Sequence, residues 1–294
     1  MNENSSEGRR PNLMGKFYAP LVSGLNIVGS IWIFVIMVLI NADVFSRYLF
    51  NSPIRGIPTI VSMSIIAIVF FQLPDALRSG RMTRNDVLIG KLLASPSGSG
   101  HRWQAAYYLL GAFLMALIIY FSIPFLGKAW HLESYVGTQG DFIFSDWPIL
   151  AVVILGALFC GLEFVFQVKR DISAHISLLG QSVRSVLGAA LPLILVIAVA
   201  TILVFAPLSN LEIAVTALVL VLVLVYVGVH IGVALSVISF FAIWGIRDDV
   251  LIAGKMLSSA ASESLQRFEF GIIPLFILMG TLISVSDVGA DLYK

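Results

Sequence analysis

LEIAVTALVLVLVLVYVGVHIGVALSVISFFAIW occupies residues 211–244, and Glu212 is its one charged residue. As a single helix these 34 residues would extend for about 50 Å. That length is too great for one upright crossing of a bilayer core of about 30 Å, and it is short for two full crossings. Because Gly228 and Gly232 flank His230 near the middle, we expect a break there between two short helices. Asn210, just before the run, is the predicted N-cap.

Six further apolar runs lie outside this stretch, and a spanning helix needs roughly 20 such residues. They are Leu21–Ile40, Ile57–Leu73, Trp103–Leu126, Trp147–Val168, Val186–Phe205 and Phe270–Val285. The pattern predicts an all-α integral membrane protein with about 7–8 hydrophobic segments. The small residues of 94–100 are typical of an exposed connector.

The composition agrees with a membrane protein, since 59% of the 294 residues are hydrophobic and 12% are charged. A soluble domain is roughly 45–50% apolar and about 25% charged. The net charge of +1 provides no field that would attract nucleic acid. Cys160 is the single cysteine and the four histidines are widely spaced, so we expect no metal site and no cofactor.

Lysine and arginine collect on cytoplasmic loops, and their placement predicts the topology. Eleven lie in the N-terminal segment and in the loops after the second and fourth helices, against three in the opposite loops. The N-terminus is therefore predicted to be cytoplasmic, and Leu211 starts from the outer face.

Two groups of charged residues stand at helix ends. Asp43 and Arg47 are four apart and can pair on one helix face, which Tyr48 and Asn51 extend. The pair either docks the first helix against a neighbour or only anchors it at the membrane edge. A second group either braces the following loop or is a solvated positive loop, and we favour the solvated loop; its members are Asp75, Arg78, Arg84 and Asp86.

Four residues inside the apolar runs are further candidates. Glu163 is an intramembrane carboxylate, and we expect it to reach the headgroups or Arg170. His230 either marks a polar pocket or, as we favour, satisfies backbone groups freed at the helix break. Pro274 is expected in the first turn of its helix, where its missing N–H costs little, and Gly280 is expected to allow close helix packing.

The stretch Asp43-Val-Phe-Ser-Arg47-Tyr48-Leu-Phe-Asn51, with Leu77-Arg78-Ser-Gly80-Arg-Met-Thr-Arg84-Asn-Asp86 after the second helix, resembles two signatures of one family. That family is the small membrane subunit of the tripartite ATP-independent periplasmic (TRAP) transporters. A second stretch, Phe270-Gly-Ile-Ile-Pro274-Leu-Phe276-Ile-Leu-Met-Gly280, is similar to a motif near the start of the family's large membrane subunit.

The resemblance implies a domain order along the chain. Residues 1–16 form a cytoplasmic tail and 17–175 a four-helix unit like the small subunit. Residues 176–210 form a linker with a connecting transmembrane helix, and 211–294 the first part of a large-subunit-like permease. We expect this last part to be truncated, with the remaining large-subunit helices and the substrate-binding residues beyond Lys294.

By the same resemblance, the complete protein imports an organic acid, a dicarboxylate or other carboxylate, across the bacterial inner membrane. Sodium ions drive the import at sites outside this segment, and a separate extracytoplasmic binding protein delivers the acid. This segment would be mainly a static scaffold in the lipid bilayer. An assembly module without transport of its own is the alternative. We expect no enzyme, because no Ser/His or His/Asp/Glu cluster is evident.

Overall fold

The computed structural model describes residues 13–94, 99–132, 134–138, 142–179, 198, 201, 203–205, 209–263 and 269–285. The chain is an all-α integral membrane protein, and a two-stranded hairpin joins two of its helices. The helices are α1 (Leu13–Phe50), α2 (Ile57–Arg78), α3 (Asp86–Ala94), α4 (Ser99–His131), α5 (Trp147–Leu179), α6 (Asn210–Val227), α7 (Ile231–Arg247), α8 (Val250–Glu263) and α9 (Glu269–Val285). The strands are β1 (Tyr135–Thr138) and β2 (Phe142–Ser145).

Five helices of the described residues are long and apolar enough to cross a membrane: Tyr18–Phe50, Ile57–Arg78, Gly100–His131, Trp147–Ser173 and Asn210–Val227. The first four predicted helices are confirmed, but each is longer than its apolar run because polar residues continue it beyond the hydrocarbon layer. The predicted boundary at residue 175 falls within the last turns of α5. Most of the predicted helix 186–205 and most of the connector 94–100 lie outside the described residues, although residues 198, 201 and 203–205 are helical and Ser99 already begins α4.

The predicted break in residues 211–244 is confirmed. Gly228 ends α6 in the left-handed conformation, with φ of 107°, and its N–H donates to the carbonyls of Leu224 and Val225. Glycine adopts this conformation without the steric cost that a side chain adds. His230 precedes the first residue of α7, so the run becomes two helices that pack against each other.

The predicted N-cap at Asn210 is wrong by one residue, because Asn210 is already helical. Ser209 caps α6, and its hydroxyl accepts from the N–H of Glu212 while the Glu212 carboxylate accepts from the N–H of Ser209 at 2.7 Å. This reciprocal capping box satisfies two N–H groups that the first turn leaves free.

Three elements were not expected from the sequence: the short helices α3 and α8 and the β-hairpin between α4 and α5. The strands pair antiparallel, with Tyr135 opposite Ser145 and Thr138 opposite Phe142. The ring of Phe142 lies against Gly56, the residue before α2, whose φ is 80°. The α1–α2 loop and the hairpin therefore share one end of the bundle, which we call the hairpin end (residues 51–56 and 135–145). Residues 79–86, after α2, mark the opposite loop end.

Helices α4 and α5 pair along their length and form the centre of the core, with α2 and the α6–α8 helices around them. Glycines allow the closest approaches: Gly111 of α4 lies under the Phe164 ring, and Gly156 of α5 lies against the backbone of Phe70 in α2. On the other side of α4, the buried hydroxyls of Ser122 and Ser258 are 2.8 Å apart and join α4 to α8. The part of the chain up to α5 and the helices α6–α8 thus pack directly against each other.

The apolar helix predicted at 270–285 is confirmed as α9, which begins one residue earlier. It packs on α1 and α2, where Gly271 meets Val61 and Leu275 joins the cluster around Ile40. Most of its other apolar side chains are exposed, as expected for a helix that faces lipid or another helix.

Replacing Gly156 by alanine tests the contact between α2 and α5. The new Cβ would lie 2.6 Å from the carbonyl oxygen of Phe70, so the helices must separate, and we expect a loss of about 1–3 kcal/mol in the free energy of unfolding. Gly127→Ala in α4 is the matched control, because no atom lies within 4 Å of its Cβ; its better helix propensity adds up to about 1 kcal/mol. Unfolding in detergent gives both values, and equal stability of the two variants would contradict the packing.

Candidate functional site

Asp43 joins the hairpin end of α1 to the α1–α2 loop. Its buried carboxylate accepts from the Arg47 guanidinium, with Nη2 2.8 Å from Oδ2, and from the N–H of Ile54 at 2.9 Å. The predicted pairing of Asp43 and Arg47 is therefore confirmed, and the carboxylate also holds the α1–α2 loop. Half of the Arg47 side chain (53%) is exposed. Of the two contacts that Asp43 makes, the one with the N–H of Ile54 is therefore better shielded from solvent than the one with Arg47.

Tyr48 and Asn51 do not extend this polar group as predicted. Tyr48 is 86% exposed. Asn51 adopts the left-handed conformation with φ of 52°, and its N–H donates to the Arg47 carbonyl at 3.1 Å. Asparagine tolerates this conformation better than most residues, so Asn51 ends the helix by its backbone.

Asp75 fastens α2 to α1 near the loop end. Its Oδ2 accepts from the Asn26 amide at 2.9 Å and from Arg81 at 2.5 Å. Arg78, the expected neighbour, instead donates to the carbonyl of Ala19 at 3.3 Å. Sequence reasoning missed Asn26, since a contact between helices depends on their rotation, which spacing along one helix does not reveal. It missed Arg81 because the chain turns back where α2 ends.

The loop after α2 contacts the turn between α6 and α7. The Thr83 carbonyl accepts from the N–H of Ile231 at 3.3 Å. Gly228 lies against Ile89 of α3 and the carbonyl of Asn85. From α4, the Tyr107 hydroxyl donates to the Val227 carbonyl at 3.2 Å. We call these contacts the junction (residues 83–89, 107 and 227–231).

Arg84 and Asp86 border the junction and form an ion pair, with Nε 2.6 Å from Oδ1. Asp86 is largely exposed, while Arg84 is mostly covered. The favoured interpretation of residues 75–86 as a merely solvated loop is wrong at this point, because the backbone of the loop contacts α7 and the α6–α7 turn.

His230 lies in the junction and is 5% exposed. Its ring stands 5.8 Å from the Tyr108 ring and 6.4 Å from the Phe164 ring, measured between centroids. The expectation that it satisfies freed backbone groups is wrong: its side chain makes no capping bond, and the Thr83 carbonyl takes the N–H of Ile231.

Glu163 points into the protein and does not reach the headgroups or pair with Arg170 as expected. It is 5% exposed, and its Oε1 accepts from the Gln167 amide at 3.0 Å. The hydroxyl of Tyr18 lies beside this carboxyl and donates to the Phe159 carbonyl at 2.8 Å. The group therefore links the beginning of α1 to α5.

The predictions for Pro274 and Gly280 are wrong in their details. Pro274 is the sixth residue of α9 and lies past the first turn, so its missing N–H removes a bond that the helix would otherwise make. Gly280 has no described atom within 4 Å of an added Cβ, and the close approach of α9 occurs at Gly271. Gly271 lies nine residues, or about two and a half helical turns, before Gly280.

Within the described ranges, no group of three or more His, Cys, Asp or Glu residues could hold a metal ion. Cys160 is fully buried. Asp43, Asp75 and Glu163 make polar contacts that join α1 to the α1–α2 loop, to α2 and to α5, respectively.

Residues 36–174 match the family described as "Tripartite ATP-independent periplasmic transporters, DctQ component". The match covers slightly less than half of the chain and contains the last part of α1, the helices α2–α4, both strands and most of α5. No curated protein matches the chain.

The matched family is one of transporter components and not an enzyme family. The apolar helices and this match together indicate a multi-pass protein of the inner membrane. The matched range includes the Asp43 and Asp75 contacts and the loop side of the junction, but not the α6–α7 turn that enters it.

Asp43→Ala should destabilise the protein more than Arg47→Ala. Loss of the carboxylate leaves the N–H of Ile54 without its acceptor and costs about 1–3 kcal/mol. Loss of the half-exposed Arg47 side chain costs less than about 1 kcal/mol. Denaturant unfolding of both variants in the same detergent measures the order, and a larger effect of Arg47→Ala would show that the ion pair, and not the loop contact, matters.

Proposed function

We propose that this chain is a membrane component of a sodium-coupled, binding-protein-dependent secondary transporter that imports organic acids. The observation that carries the proposal is the match of residues 36–174 to the DctQ component of the TRAP transporters. The motif around Pro274 and its similarity to the family's large subunit support a fusion of the two subunits in one chain.

Within that transporter, residues 17–175 and the helices α6–α8 form a static scaffold. Three contacts support this role, since two of them join the two parts at the junction and the third joins them fifteen residues further along α4. They are the Thr83–Ile231 backbone bond, the Tyr107–Val227 bond and the Ser122–Ser258 pair. Rigid elements that share buried polar bonds move together and do not slide past each other.

The partners follow from the family. DctQ components work with a large membrane subunit and a periplasmic binding protein. The binding protein delivers a carboxylate at the hairpin end, which is extracytoplasmic, while the loop end and the N-terminus are cytoplasmic. Arg78, Arg81, Arg84, Lys91 and Arg102 support this orientation because they gather on the loop side.

An assembly module without transport of its own is the second candidate. It is favoured by one observation: the polar candidates that have partners, such as Asp43, Asp75 and Glu163, use them to join helices. Such a module would still bind the remaining membrane helices, but it would support no uptake.

Uptake by the natural gene product decides between these two functions. The protein is reconstituted in liposomes, and a panel of radiolabelled mono- and dicarboxylates is offered with its extracytoplasmic binding protein. We expect uptake that requires both an inward sodium gradient and the binding protein. Uptake that persists without the sodium gradient or without the binding protein would contradict this mechanism. No uptake of any acid would favour the assembly module.

A disulfide in the same liposomes tests the scaffold role separately. Ser122→Cys and Ser258→Cys are introduced together in a Cys160→Ala background, because the two hydroxyls already face each other at 2.8 Å. We expect cross-linking to leave uptake unchanged, with each single cysteine as control. Uptake that is lost on oxidation and returns on reduction would mean that α4 and α8 move relative to each other.

A further inference from the structure

An apolar groove of about 420 Å³ opens beside α2, between α1, the hairpin and the beginning of α5. Its walls include Val28, Trp32, Ile60, Ala67, Phe71 and Phe144. Of all the lining residues, only Ser64 and Trp32 have polar side-chain groups, and none is charged. Nearly all of them lie within candidate membrane spans, so the groove faces hydrocarbon.

The length of the groove matches one leaflet. From Ile60 to Phe71 the wall follows α2 for eleven residues, which is about 16 Å at the helical rise. The hydrocarbon core of a bilayer is about 30 Å thick, so the groove runs from the hairpin end to about the middle of the bilayer. An acyl chain from the leaflet at the hairpin end has this reach.

Helix α9, which also packs on α1 and α2, does not occupy the groove. Helix α9 packs on the side of α2 that carries Val61 and Ile65, whereas Ile60, Ala67 and Phe71 line the groove. A flexible chain of methylene groups fits a narrow apolar space open to the bilayer better than a helix of about 10 Å diameter does.

Positive charge lies at the hairpin end of the groove. Arg55 stands in the α1–α2 loop immediately before Gly56, which touches the hairpin at Phe142, and its side chain is exposed. Ile60 is one turn further along α2, and its N–H bonds to the Gly56 carbonyl at 2.9 Å. A phosphate at this height would meet a guanidinium, which binds phosphate oxygens well.

We propose that the groove is a binding site for one phospholipid of the leaflet at the hairpin end, with an acyl chain along α2 and its phosphate beside Arg55. The lipid fills the space between α1, α2 and α5 that side chains leave open. This site is independent of transport, so the outcome of the uptake measurement does not affect it.

Photo-cross-linking in nanodiscs tests the site. A phospholipid with a diazirine in its acyl chain is incorporated and activated, and the labelled residues are mapped by mass spectrometry. We expect labelling of Met63, Ala67 and Phe71 at least several-fold above that of Leu218 and Leu222 on α6, which are each 62% exposed. Equal labelling at both places would reduce the groove to ordinary bilayer contact and overturn the proposal.

A matched pair of substitutions gives the second arm. Ala67→Trp fills the groove and should remove most of the labelling of Met63 and Phe71, together with one lipid retained in native mass spectrometry. Ala214→Trp, on the exposed side of α6, should change neither. Arg55→Gln, which leaves the groove open, should lower lipid retention by several-fold, and unchanged labelling and retention in both groove variants would overturn the proposal.

Discussion

A helix broken within an apolar membrane segment must find partners for the backbone groups that it frees, because hydrocarbon supplies none. In this chain the break at residues 228–230 meets that demand partly outside its own helices. Gly228 returns its N–H to α6, while Ile231 donates to the carbonyl of Thr83 in the loop after α2. The two halves of the chain are therefore joined where the backbone is least able to satisfy itself.

The side-chain contacts of Asp43 and Asn26 on α1 follow the same principle. Asp43 holds the α1–α2 loop through Ile54 at the hairpin end, and Asn26 bonds to Asp75 toward the loop end. Buried polar groups at both ends of a helix pair limit rotation and sliding, because either motion leaves a charge or an amide unpaired. A static role for α1 and α2 follows from this placement more directly than from their apolar contacts.

The sequence predicts the features that depend on local length and composition. Apolar length indicates the spans, and Gly228 within residues 211–244 indicates the break, because both signals lie within one segment. It does not predict that Asp75 meets Arg81 in place of Arg78, that Glu163 faces Tyr18, or that Gly271 rather than Gly280 meets a neighbour. The last two depend on the rotation of one helix against another, whereas Arg81 reaches back to Asp75 because the chain turns at Ser79 and Gly80, where α2 ends. The sequence does not predict the β-hairpin for a different reason. Strands of four residues have too few positions to show the alternation of apolar and polar residues that indicates a strand.

The polar contacts of α1 and the groove beside α2 are two consequences of one arrangement. Helices α1 and α2 are held together at their ends by polar bonds and along one side by α9, so their other side does not need to close completely. The hairpin covers the gap only at its own end, where Phe142 and Phe144 reach α2. In water such an opening would expose apolar surface at a cost of roughly 25 cal/mol per Å². In a bilayer the same opening is filled by an acyl chain at little cost, which permits a rigid scaffold without a fully packed interior.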